Sequence, residues 1–270
     1  MSADHILTFA QDLSGGGVER AQLRLAAEWL AAGRRVTLAV GDAGGPLAAD
    51  LPAGLGLEPL GHRRYVAQRR LAAITLRLRP DLIFCPGNHY TLVAAWLRWR
   101  LGDDCPPIVA KLSNAIDRAD HGRIMGAGHR LWLAQHGRFL DHLVAMTPAT
   151  AALAARAMRM ERRTSVIPNP PAPRATAAAA GGAALPDYEG VPGVLREALS
   201  VGTPVVATAS SPAVREIVGD ARLGTVVAPE DAAGLAAALN HWLVAPRPAP
   251  VPQPGGDSAA RYLRLFDTLA

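Results

Sequence analysis

His5-Ile6-Leu7-Thr8-Phe9-Ala10, the loop Gln11-Asp12-Leu13-Ser14-Gly15-Gly16-Gly17, the segment Val18 to Ala32 and the run Arg35-Val36-Thr37-Leu38-Ala39-Val40 decide the fold. The first six residues form an apolar run of strand length. From Val18, apolar residues recur at helical spacing through Leu23, Leu25, Ala26, Trp29 and Leu30, and the pattern stops at Gly33. A second apolar run follows. Strand, glycine loop, helix and strand predict a Rossmann-like βαβ unit. Glycine suits the loop because it lacks Cβ and reaches positive φ freely. The triple glycine does not match the G-x-G-x-x-G fingerprint, so nicotinamide binding is not expected.

The same alternation continues outward. Leu57 to Leu60, Leu82 to Cys85, Ile108 to Leu112 and Asp141 to Met146 read as further strands. Helices are expected over 63–79, over Leu92 to Leu101 with Trp96 and Trp99 packed, and over Gly122 to Phe139. Thr147-Pro148 starts another, with Thr147 as N-cap and Pro148 in the first turn. In an open parallel sheet, ligands lie outside the carboxyl ends of the strands. That places Asn88 and His89, after the Leu82 strand, and Asn114 and Asp117, after the Ile108 strand, as cleft candidates.

The chain has 270 residues, half of them apolar, which suits one large domain or two small ones and excludes a disordered chain. Residues 1–174 hold 22 Lys/Arg against 14 Asp/Glu, and residues 175–270 hold 6 against 9. A basic first half attracts phosphates or an anionic membrane face, or is simply solvated. Arg63, Arg64, Arg69, Arg70, Arg77 and Arg79 concentrate that charge. Aromatic content is 5%, and with no nucleic-acid motif no nucleic-acid partner is expected. Cys85 and Cys105 have neither metal-ligand spacing nor a secretory context. No signal peptide or membrane span is evident, so a cytoplasmic location is expected, with peripheral contact at the inner membrane face as an option.

The second half centres on Tyr188-Glu189-Gly190-Val191-Pro192-Gly193-Val194-Leu195-Arg196-Glu197-Ala198-Leu199, leading into Gly202-Thr203-Pro204-Val205-Val206-Ala207-Thr208. Two carboxylates eight residues apart flank a Gly/Pro loop that opens a short helix. Free N–H groups at such a helix start bind anions, and carboxylates bind hydroxyls. This stretch resembles the E-x7-E signature of retaining glycosyltransferases of family 4, which have the GT-B architecture. Gly16-Gly17-Val18-Glu19-Arg20 is similar to that family's N-terminal glycine loop, and Val166-Ile167-Pro168-Asn169-Pro170 to the segment closing its first domain.

The resemblance implies an α/β, GT-B-like fold: a complete Rossmann-like acceptor-side domain over 1–170 and a truncated Rossmann-like donor domain over 187–245. An Ala/Pro/Gly linker (171–186), a Pro-rich linker (246–257) and a C-terminal helix (258–270) complete the expected layout. It implies a hexosyltransferase-type enzyme that moves a sugar from a nucleotide-diphosphate donor to a glycan or lipid-linked acceptor, with retention, no cofactor and no metal. Glu189 would touch the donor hexose and Glu197 the ribose. Asn114 stands where many members carry a histidine near the transferring sugar. Backbone at Gly16, Gly17, Gly190, Val191, Pro192, Gly193, Val194 and Leu195 would bracket the diphosphate, and Asn88, His89 and Asp117 would face the acceptor. In the family about a hundred residues separate the Asn-Pro segment from the first Glu, and they hold the Arg/Lys pair for the diphosphate. Here Asn169 and Glu189 are 20 apart. That gap leaves helix N-termini and Arg20 to offset phosphate charge, and it supports an alternative reading as a non-catalytic remnant or partner subunit.

Overall fold

The computed structural model describes residues 2–116, 123–172 and 191–270. Its main sheet holds seven strands: β1 (His5–Asp12), β2 (Arg35–Asp42), β3 (Gly56–Pro59), β4 (Leu82–Cys85), β5 (Ile108–Lys111), β6 (His142–Ala145) and β7 (Thr164–Val166). Their order is β3-β2-β1-β4-β5-β6-β7, and every neighbouring pair is parallel. The order reverses between β1 and β4, so the loops after these two strands diverge and leave a crevice at their carboxyl ends.

Both faces of the sheet are covered, which is why its central strands are apolar on both sides. On one face α1 (Gly17–Ala31) and α9 (Ser258–Asp267) enclose Ile6, Leu25, Trp29, Phe84, Tyr262 and Phe266. Trp29 makes edge-on contacts with Phe84 at 5.2 Å, Phe266 at 5.2 Å and Tyr262 at 5.9 Å between ring centroids. On the other face α2 (Leu71–Leu78), α3 (Thr91–Leu101) and α5 (Pro148–Met158) pack Leu71, Ile74, Val93, Leu97, Ala154 and Met158 against Leu7, Phe9 and Ile83. Helix α5 starts as its sequence dictates. Thr147 and Thr150 form a reciprocal capping box, with Pro148 in the first turn.

Three expectations need correction. Residues 63–79 are not one helix: a 3₁₀ segment, Tyr65–Arg70, precedes α2, because Ala67 and Gln68 turn inward and Gln68 Nε2 donates to Ala10 O at 3.0 Å. The segment predicted from Gly122 to Phe139 is helical as α4 (Arg123–Leu133), followed by a 3₁₀ turn His136–Arg138. There the buried His136 ring bonds Leu133 O at 3.0 Å and ends the regular helix. Trp99 is 78% exposed rather than packed, while Trp96 lies against the core.

The remaining elements are α6 (Gly193–Ser200), β8 (Val205–Thr208), α7 (Pro212–Ile217), β9 (Gly224–Val227) and α8 (Ala232–Val244). Strands β8 and β9 pair in parallel and form a sheet of two among the described residues. Leu195, Leu199, Val205, Ala207, Val214 and Val218 make its small core. So few strands do not stand alone, and the unit leans on the first through Met146, Val191 and Ala213.

The proline-rich stretch after α8 is a strap rather than a loose connection. Val251 N–H donates to Leu199 O at 2.9 Å, Gln253 bridges Ala172 N–H and Ser200 Oγ, and Ser258 Oγ donates to Pro168 O at 2.7 Å. Among the described residues, no helix is long and apolar enough to cross a membrane.

Candidate active site

The glycine loop sets one wall of the crevice. Gly15 has φ +111°, a conformation side chains rarely adopt, and Gly16 is the extended N-cap of α1. A Cβ on Gly16 would come within 2.3 Å of Glu19 Oε2, so the missing side chain lets Glu19 fold back over the start of its own helix. Burial raises the Glu19 pKa, and its own backbone N–H and Lys111 partly offset the rise.

Opposite stands α6. Its N-cap is Pro192, and a short first turn takes the Leu195 N–H to Pro192 O at 3.3 Å. Leu195 is therefore not a free donor, contrary to the expectation, and its side chain is buried in the small core. Gly193 and Val194, which precede it, stay exposed at the helix start.

Between these walls lies a cavity of about 380 Å³. It brings together Gly17, Asn114, Val191, Gly193, Val194 and Glu197, six of the positions singled out by sequence. Gly16 adjoins it. Asn88 sits behind it: its Oδ1 accepts the N–H groups of Asn114 at 2.8 Å and Ser113 at 3.2 Å, so it positions the Asn114 loop. The His89 ring packs on Tyr90 at 4.0 Å, and partial desolvation, with Lys111 adding, lowers its pKa. Glu189, Gly190 and Asp117 lie outside the described residues.

Several further lining residues were not singled out. Among them are Lys111 at the end of β5, Arg24 on α1, Asn169 after β7, Arg196 on α6 and Gln253 on the strap. Lys111 is the sequence's one lysine and is 1% exposed. Its Nζ donates to Asn169 Oδ1 at 3.0 Å. Burial pulls its pKa down to about 8, with Glu19 acting in the other direction. The signal for it was its place: a cation closing a buried apolar strand, at the sheet end where ligands bind.

A second chamber of about 380 Å³ adjoins through Asn114 and Val191. Ile116, Leu153 and Pro212 make it apolar, and Ser210 and Arg215 add polar groups. Ser210 Oγ is buried with no hydrogen-bond partner among the described residues.

Comparison with known proteins agrees with this geometry. The model of Glycosyltransferase Family 4 matches residues 15–171, more than half of the chain, and that of Glycosyl transferases group 1 matches residues 130–244. No curated protein matches the sequence. Among solved structures, TarM aligns at TM-score 0.65 and 7% identity, over 98% of this chain and 96% of that one. Anabaena Alr3699/HepE, in complex with UDP and glucose, aligns at 0.62 and 14% identity over 100% and 95%. The lipopolysaccharide outer core galactosyltransferase WaaB, in its apo form, aligns at 0.60 and 13% over 88% and 89%. With a cavity between a seven-stranded parallel sheet and the helix that carries Glu197, and with the family model matching residues 15–171, the chain belongs to glycosyltransferase family 4.

Proposed function

We propose that this glycosyltransferase transfers a hexose from a nucleotide-diphosphate donor to a glycan or lipid-linked hydroxyl, with retention of anomeric configuration. The single observation that carries the reading is the cavity in which the Gly17 end of α1 and the Gly193 end of α6 face each other, with Glu197 and Asn114 between them. Helix starts favour anions, and carboxylate and amide groups favour hydroxyls. A nucleotide sugar presents both. Glu197 would take the ribose and Glu189 the hexose, while Asn114, held by Asn88, would reach the sugar or its leaving oxygen. The adjoining apolar chamber would receive the acceptor.

In the transfer, the acceptor oxygen bonds to the anomeric carbon as the bond from that carbon to the diphosphate oxygen breaks. The acceptor proton passes to the departing diphosphate. Titration calorimetry with UDP-, GDP- and ADP-sugars tests the reading: heat with at least one is expected, and silence with all three classes would remove it.

The two-stranded second sheet favours a second reading, a non-catalytic family member working as a partner subunit. It predicts that Glu197→Ala leaves any measured transfer unchanged. The enzyme reading predicts a loss of at least tenfold.

A further inference from the structure

The cavity is cationic to a degree the sequence pattern did not announce. Lys111 forms its floor, and Arg20, Arg24 and Arg196 stand around it, with Glu197 as the one carboxylate in the lining among the described residues. Lys111 has three donors, and among the described residues only Asn169 Oδ1 accepts from one. Arg24 and Arg196 are half-buried, yet neither has a carboxylate within ion-pair distance among the described residues. Arg196 lies deep enough that burial pulls its pKa below its ordinary value, with Glu216 only partly offsetting this. A buried ammonium is costly unless something compensates it. Among the described residues none of these three cations has a carboxylate within ion-pair distance, so an anion entering the hollow would meet uncompensated positive charge.

We propose that this cavity is a built polyphosphate site, in which Lys111, oriented by Asn169, takes a phosphate oxygen while Arg24 and Arg196 close on the same group from α1 and α6. The ligand class rests on the donor reading above. The site departs from the family pattern, where the resemblance puts the diphosphate cations in the donor domain. Here the floor and one jaw belong to the first unit, on β5 and α1. Glu19, folded over the start of α1, supplies a negative charge that acts on Lys111 from outside the lining. A phosphate would add a second.

Inorganic pyrophosphate is the direct probe, titrated calorimetrically into the full chain at low salt. Lys111→Met is expected to weaken it at least tenfold, and Arg24→Ala and Arg196→Ala severalfold each. Arg222→Ala removes the same charge from an exposed pair with Asp220 and is expected to change nothing. If Arg222→Ala costs as much as Arg24→Ala, or Lys111→Met costs nothing, the site is overturned in favour of a diffuse basic surface.

The second readout is pH. Pyrophosphate gains negative charge between pH 7 and 9, so binding by arginines alone would strengthen. Lys111, titrating near pH 8, loses its charge over that interval, and affinity should fall. The groups facing it are Glu19, Arg20, Arg24, His89, Arg196 and Glu197. The His89 pKa is lowered by partial desolvation and lies below that interval. Lys111→Arg should abolish the fall, and a parent that binds more tightly at pH 9 overturns the assignment. Two patterns separate this inference from the donor reading. Pyrophosphate binding without nucleotide-sugar binding sinks the donor reading and keeps the site. Nucleotide-sugar binding indifferent to Lys111→Met and Arg24→Ala sinks the site and keeps the donor.

Discussion

Lys111 makes the case that a residue held at a cost is held for a task. A lysine has an ordinary pKa of 10.5, and burial holds this one near 8, which corresponds to a penalty on the order of 3 kcal/mol at neutral pH. Its folded value lies below its unfolded one. The stability it withholds therefore returns as pH rises from about 8 through 10.5, where the unfolded chain still binds the proton and the folded one does not. Lys111→Met should raise stability at pH 7 by about 1–3 kcal/mol, with Asn169 left half-exposed to water, and should flatten that alkaline rise. Urea titrations at pH 7 and 9.5 check both. A variant less stable than the parent at pH 7 would show that Lys111 is a structural group. This residue was the least legible part of the site. A lone lysine ending an apolar strand says nothing about Asn169, 58 positions later, until β5, β6 and β7 lie side by side. Glu197 and Gly17 were legible because a local motif carries each of them.

At the scale of elements, α9 closes a core that the first half leaves open. Trp29 on α1 presents its ring to the far end of the chain, and Tyr262 and Phe266 cover it, along with Phe84 from the sheet. Asp267 fastens the end of the helix, accepting from Ala3 N–H and from Arg34, both at 2.8 Å. Phe266→Ala removes a side chain of 0% exposure and should cost about 3–5 kcal/mol. Denaturation should show a lower midpoint with an unchanged slope, and a shift under 1 kcal/mol would mean that α9 is only draped over α1. Much of this layer could be read in advance. A C-terminal helix was expected over 258–270, where α9 lies, and β4 runs from the first to the last residue predicted for it. The misses have local causes. Helical periodicity over 63–79 and over 122–139 does not reveal where Gln68 reaches the β1 backbone or where His136 bonds its own preceding turn. The strap after α8 was legible as proline-rich but not as ordered, because its partners Leu199, Ala172 and Pro168 lie far away in sequence.

Across the whole molecule, four histidines set the response to acid: His89 beside the cavity and three more in or next to the main sheet. His5 in β1, His136 after α4 and His142 in β6 all have lowered pKa values, and for each the leading cause is burial. Arg35 lowers His5 further and Arg163 lowers His142 further, while backbone carbonyls act against the shift at His136. A base whose folded pKa is depressed adds stability that is complete above its unfolded value of 6.5 and declines as pH falls below it. Glu19 and Glu28 have raised values and act with the opposite sign, in a window that runs from those raised values down to 4.5. The histidines outnumber them and begin to act first as pH falls, so the urea midpoint should drop between pH 7.5 and 5.5. Their positions span the seven-stranded sheet, on which the two-stranded unit depends through Met146, Val191 and Ala213. Both units should be lost in one transition, with far-UV dichroism and tryptophan fluorescence coinciding. His136→Gln should remove part of the pH dependence while lowering stability at pH 7.5, since its ring also bonds Thr91 Oγ1 at 3.0 Å. A midpoint that is flat or rising from pH 7.5 to 5.5 would show that these rings take up protons without unfolding the sheet.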